Sequence, residues 1–160
     1  MQKIILTLMA AAALPLALAA KKSSYYNEEA QQFEFISPSG NIRCQGDHAA
    51  SDEDEGSKGV ECSVFSGAGR LPTLPKLPKP KDCDMVGITV FSVEATGKAT
   101  RLAVCIGDTY YNLSGSVPVL PYGKTVQGDG WQCTSSKEGM RCENDDGHGF
   151  HLSRSQQKLF

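Results

Sequence analysis

Past residue 19 the chain has no apolar run long enough to cross a bilayer, since a helical span needs about 20 such residues. Nor is there a sustained stripe of apolar residues at the helical period, so nothing calls for a helical bundle. Cysteines are not closely paired. The nearest two, Cys133 and Cys142, are separated by eight residues, whereas zinc sites are usually built from tight Cys-x-x-Cys or His pairs. Positive charge is not in excess either, with 16 basic against 18 acidic residues. A nucleic-acid binder needs clustered cations to meet phosphates. Finally, no Gly-x-Ser-x-Gly elbow is present to expose a nucleophilic serine.

What is present begins with an address. Lys3 gives a positive start, and Ile4 to Leu18 is apolar or small apart from Thr7 and Pro15. Ala17-Leu18-Ala19 offers small side chains around a cleavage bond. This three-part pattern predicts a signal peptide over 1–19, removed to leave Ala20 or Lys21 first. A run of about 15 apolar residues is short for a membrane anchor in a ~30 Å core. No cysteine follows the cleavage region to carry a lipid. Without Lys3 the balance is 15 basic to 18 acidic residues, a net charge of −3. The expected location is the periplasm or the medium. There the six cysteines, Cys44, Cys62, Cys83, Cys105, Cys133 and Cys142, read as three disulfides.

Residues 20–32 read as a loose or briefly helical lead-in, and 33–160 as one β domain. Phe33 and Phe35 alternate with Gln32 and Glu34, the signature of a half-buried strand. Ser37-Pro38-Ser39-Gly40-Asn41 is turn chemistry. Ile42 and Cys44, then Val60, Cys62 and Val64, alternate with polar neighbours. Between them Asp47 to Lys58, centred on Asp52-Glu53-Asp54-Glu55, reads as a self-repelling, solvated loop. Residues 71–80 carry four prolines, which exclude helix and interior strand and predict an extended strap. Ile88 to Ala95 and Lys98 to Ile106 read as strands joined by a tight turn at Thr96-Gly97. Val117 to Tyr122 reads as a short strand ending in a Pro-Tyr-Gly turn. Trp131 with Cys133, Met140 with Cys142, and Phe150 with Leu152 mark three more. The class is all-β: a small, disulfide-stapled barrel or sandwich of short antiparallel strands.

An internal echo gives the pairing. Ile42-Arg43-Cys44-Gln45 followed by Gly59-Val60-Glu61-Cys62-Ser63 matches Trp131-Gln132-Cys133-Thr134 followed by Gly139-Met140-Arg141-Cys142-Glu143. Each places two inward cysteines on a hairpin, so the halves read as related units with bridges Cys44–Cys62 and Cys133–Cys142. That leaves Cys83–Cys105. A two-residue turn at Thr96-Gly97 sets Ala95 opposite Lys98 and Ile88 opposite Cys105, so Cys83 must fold back to reach its partner.

The segments Phe35-x-Ser37-Pro38-Ser39-Gly40-Asn41-Ile42-x-Cys44, Gly59-Val60-x-Cys62, Cys105-x-Gly107-Asp108-Thr109, Leu120-Pro121-Tyr122-Gly123, Cys133, Gly139-x-x-Cys142 and Gly147-His148-Gly149-Phe150-x-Leu152-Ser153-Arg154 together resemble a family of exported bacterial proteins catalogued as a domain of unknown function. The likeness covers Phe33 to Phe160. It implies bacterial origin, export and a shared fold, and carries no catalytic residues.

Few residues suggest chemistry. His148, His151, Ser153 and Asp108 offer the side chains of a Ser-His-Asp set, and with Arg154 they are the most suggestive polar residues. Against this, Gly147-His148-Gly149 reads as a tight turn. Asn144-Asp145-Asp146 is oxygen-rich, but calcium wants six to eight oxygens from spaced carboxylates. Tyr110, Tyr111, Tyr122 and Trp131 are candidates to stack on a sugar or peptide, unless they fill the core. Together Tyr110, Tyr111, Tyr122, Trp131, His148, His151 and Arg154 form the expected binding surface. The leading expectation is a non-catalytic binding or interaction module for an envelope protein or a cell-wall glycan, with no metal, no cofactor and no nucleic acid. The alternatives are a small hydrolase using His148 or His151, and a structural envelope component.

Overall fold

Alternating apolar and polar residues make strands that bury one face, and two such sheets solve each other's burial by packing together. The computed structural model describes residues 23–48, 56–65, 77–81, 83, 86–105 and 116–160. Six strands form the first sheet in chain order: β1 (Tyr26–Asn27), β2 (Gln32–Ile36), β3 (Ile42–His48), β4 (Ser57–Val64), β5 (Val86–Glu94) and β6 (Thr100–Cys105). The second runs β7 (Thr125–Gln127), β8 (Trp131–Ser136), β9 (Gly139–Asn144), β10 (Gly149–Leu152) and β11 (Gln157–Leu159), also in chain order. Neighbouring strands within each sheet are antiparallel. The fold is all-β, and of the two expected closures it is the sandwich, since neither sheet closes into a barrel.

The core lies between the sheets. Phe35, Ile42, Cys44, Val60, Cys62, Phe91 and Val93 come from the first, and Val126, Trp131, Cys133, Met140, Cys142, Phe150 and Leu152 from the second. All three expected disulfides are present. In both related hairpins the cysteines lie directly opposite each other, Cys44 to Cys62 and Cys133 to Cys142. Their Cα atoms are 4.1 Å apart in each, the close approach of a non-hydrogen-bonded pair that brings side chains together. The two cystines also touch across the core, with Cys62 Sγ 3.7 Å from Cys142 Sγ. Neither sulfur carries a hydrogen, so this is van der Waals contact.

Several expectations are corrected. Where a loose or briefly helical lead-in was expected, its described residues hold an edge strand: Tyr26 and Asn27 pair with Phe33 and Gln32, and the Tyr26 ring meets Phe33 edge-on. Val117 to Tyr122 is not a strand. Val119 makes one parallel bridge to Ile36, with the Leu120 amide on the Ile36 carbonyl and the Ile36 amide on the Pro118 carbonyl. Pro118 interrupts any ladder, and the segment occupies the length of β2 that β1 leaves open. The expected turn follows, its Lys124 amide donating to the Pro121 carbonyl.

The β5–β6 register is shifted by one from the two-residue turn. Ile88 faces Val104 rather than Cys105, and a bulge beside Gly87 sets Val86 against Cys105. The turn is longer because Ala95 stays bonded to Lys58. Asp47, assigned to the loop, belongs to β3, and the hairpin extends to His48 and Ser57. Asp52 to Glu55 and residues 71–76 lie outside the described residues, as do residues 1–22. Leu77 to Pro80 are neither strand nor helix.

Candidate functional site

The face of the first sheet turned away from the core is not flat. Strand alternation carries Gln45, Glu61, Ser92 and Thr100 to it in one row across β3 to β6. A neighbouring row brings Ser63, Val90 and Leu102. Of these, Gln45, Glu61, Ser92, Val90 and Leu102 line a groove of about 500 Å³ that reaches from Gln32 to Leu102 and Val104. One end is apolar. Val90 and Val104 form a small cluster of their own with Ile88 and Phe65, while Leu102 remains 46% exposed.

The other end is a polar string with fixed orientations. The Glu34 carboxylate only accepts, so the Asn27 and Gln32 amide nitrogens face it, at 3.0 and 2.9 Å. The Gln32 carbonyl oxygen therefore points to His48 Nδ1, 3.1 Å away, which makes Nδ1 the donor. Next to it the Gln45 amide donates to Glu61. Burial raises the Glu61 pKa above its usual value and the charge of Glu94 adds to the rise; the Gln45 hydrogen bond and His48 oppose it. Glu94, on the adjacent strand, is exposed.

The residues named from sequence fall elsewhere. Trp131 is 2% exposed and is a core post, stacked with Phe35 and edge-on to Phe33, so it offers no surface for a ligand. Its indole donates to Asp47 at 2.8 Å. Tyr122 is exposed at its turn, while Tyr110, Tyr111 and Asp108 lie outside the described residues. His151 sits on the outer face of the second sheet, in a row with Arg141 and Lys158. His148 belongs to the β9–β10 turn, its amide held by Asn144 Oδ1 at 3.0 Å, and Arg154 is exposed beyond β10.

Among the described residues no hydrolytic set assembles. Ser153 Oγ accepts from the Ser155 and Gln156 amides and donates to the Gln156 carbonyl, and so serves its own turn. Cys44, Cys62 and Cys142 place their sulfurs within 4.8 Å of one another. All three are spent in disulfides, which are not the thiolates that bind zinc.

Asn144 and Asp146 also have structural work. Asn144 is buried and donates to the Glu94 and Gly97 carbonyls at 3.0 and 2.8 Å. Asp146 accepts from the Gly97 amide at 2.8 Å. Asp47 makes the matching clasp, accepting from the Asp129 and Gly59 amides as well as from Trp131. The groove itself was missed from sequence. The period-two alternation at Gln45, Glu61 and Ser92 marks an outward face, but only the pairing of β3, β4 and β5 lines those residues up.

The family of unknown function (DUF6636) has a model that matches residues 4–160, and the chain belongs to that family. No curated protein and no solved structure matches it.

Proposed function

We propose that the chain is an exported, non-catalytic binding module whose ligand seat is the outer groove of the first sheet. One observation carries this: a concave, part-apolar surface with polar groups converging at one end, the usual make-up of a binding site. Disulfides persist in oxidising compartments, and the three bridges here support export to the periplasm or the medium with residues 1–19 removed. An envelope protein fits the groove better than a cell-wall glycan, because no aromatic side chain stands among its described lining residues to stack on a sugar.

The test is retention of envelope components on the oxidised chain, compared with two arginine variants. Ser92→Arg fills the groove; Gln127→Arg alters the outer face of the second sheet. Retention lost only in Ser92→Arg is the expected result, and equal retention by both variants refutes the groove as the seat. An intact mass for the exported chain that still includes residues 1–19 refutes cleavage. Turnover of an esterase, peptidase or glycosidase substrate that vanishes in His151→Ala refutes the non-catalytic reading.

A further inference from the structure

Among the described residues the groove carboxylates Glu61 and Glu94 have no lysine or arginine partner, although the His48 imidazole acts on Glu61. Glu61 lies opposite Ser92, and Glu94 is two residues further along β5. Both therefore project from adjacent strands on one face. Such diagonal neighbours are roughly 7–8 Å apart, within reach of long side chains. The other acids nearby are already satisfied: Glu34 by Asn27 and Gln32, and Asp47 by Trp131, Gly59 and Asp129.

Among the described residues no lysine or arginine pairs with Glu61 or Glu94, and none lines the groove. Burial of Glu61 beside a second negative charge leaves a site that a positive group would relieve. The apolar end is on the same surface, at Val90, Leu102 and Val104. Gln32 and Leu102 stand on strands four intervals apart, roughly 19 Å at about 4.8 Å per strand. That is the length of an extended peptide of about five or six residues, and more than a single amine would fill.

We infer that the groove binds an extended basic peptide segment, with a lysine or arginine head between Glu61 and Glu94 and an apolar neighbour over Leu102 and Val104. The occupant rests on the groove being the ligand seat. Lysine and arginine suit both halves, since each carries a charged head on an aliphatic stem, and charge complementarity would set specificity.

The experiment is an NMR titration of the oxidised full-length mature chain with capped pentapeptides. One alternates lysine with valine; its counterparts carry glutamine or glutamate in place of lysine. A chitin tetrasaccharide is the fourth probe. The lysine peptide is expected to shift the amides of Gln45, Glu61, Ser92 and Glu94. Its affinity should fall on the order of tenfold in the combined Glu61→Gln, Glu94→Gln variant and stay unchanged in Glu143→Gln on the other sheet.

Equal affinity for the lysine and glutamine peptides, or an unchanged affinity in the double variant, overturns the basic occupant. So does a tetrasaccharide that shifts the groove amides when the lysine peptide does not, although the groove then remains a ligand seat. Shifts by the lysine peptide confined to the second sheet overturn both the occupant and the seat.

Discussion

Asp47 shows how much one side chain can join. It stands at the bulge of β3 with a positive φ of 50°, a conformation that Asp tolerates better than most residues. From there its carboxylate reaches three donors, Trp131 Nε1 and the Asp129 amide at 2.8 and 2.9 Å and the Gly59 amide at 3.3 Å. Asp47→Ala removes the acceptor and leaves the buried indole N–H unpaired. We expect a loss of about 3 kcal/mol, read by urea denaturation of the oxidised chain with Trp131 fluorescence as the probe. Nothing in the sequence separates Asp47 from the acidic run it begins, because its indole partner is 84 positions away. Glu61 contributes with the opposite sign. Burial holds its folded pKa above the ordinary glutamate value of 4.5, so the folded state holds this proton more tightly than the unfolded chain. Its ionised form therefore costs stability above the raised pKa, and that cost fades as pH falls toward 4.5. Glu61→Gln should be at least as stable as the parent near neutral pH, and the gap should close on acidification through that window. A gap that widens on acidification would mean the carboxylate is stabilising in the fold.

At the scale of strands, the hairpins were the legible part. Period-two alternation gave β2, β3, β4, β8, β9 and β10, and the runs on either side of Thr96-Gly97 gave β5 and β6. The related positions around Cys44, Cys62, Cys133 and Cys142 gave the bridges. The short edge strands β1, β7 and β11 were not legible, since two or three residues carry no period. The β5–β6 register was not either, since its turn is held from outside the hairpin, by the Lys58 carbonyl on the Ala95 amide and by Asn144 on the Glu94 and Gly97 carbonyls. Of the expected binding surface, Trp131 went to the core and His151 to the outer face of the second sheet. Alternation says which residues point outward and not which strands become neighbours. The related hairpins also share a glycine three residues before the second cysteine, Gly59 with φ 155° and Gly139 with φ 141°. A Cβ on Gly59 would stand 2.6 Å from the Val93 carbonyl oxygen, and one on Gly139 would fall against that of Leu152. Backbone cannot yield there as a side-chain tip would. Gly59→Ala and Gly139→Ala should each cost about 1–3 kcal/mol, seen as a lower melting temperature. Gly40→Ala, which has open space but a φ of 72°, should cost less, about 1 kcal/mol. Equal losses at all three would assign the cost to φ alone.

Across the whole molecule, the three disulfides bridge Cys44–Cys62, Cys83–Cys105 and Cys133–Cys142, and none of them joins one sheet to the other. Non-reducing peptide mapping should recover these pairs, even though Cys62 and Cys142 are in contact; a Cys62–Cys142 peptide would contradict the fold. Each bridge closes a loop of 9 to 22 residues, which the chain-entropy account values at about 2.5–3.5 kcal/mol. That stabilisation acts within a sheet. The sheets are held to each other by the apolar core and by the clasps of Asp47, Asn144 and Asp146 at one end, while Pro118 to Leu120 enters at the other, beside Ile36. The sandwich is thus a book whose pages are individually stitched, bound along one margin by the chain and latched at the opposite margin by hydrogen bonds and the exposed Lys58–Asp129 ion pair. It can fall open without breaking a covalent bond. In heavy water the amides of Gly59, Gly97 and Asp129, at the latch, should take up deuterium well before that of Leu120 at the spine, and Asn144→Ala should hasten only the former.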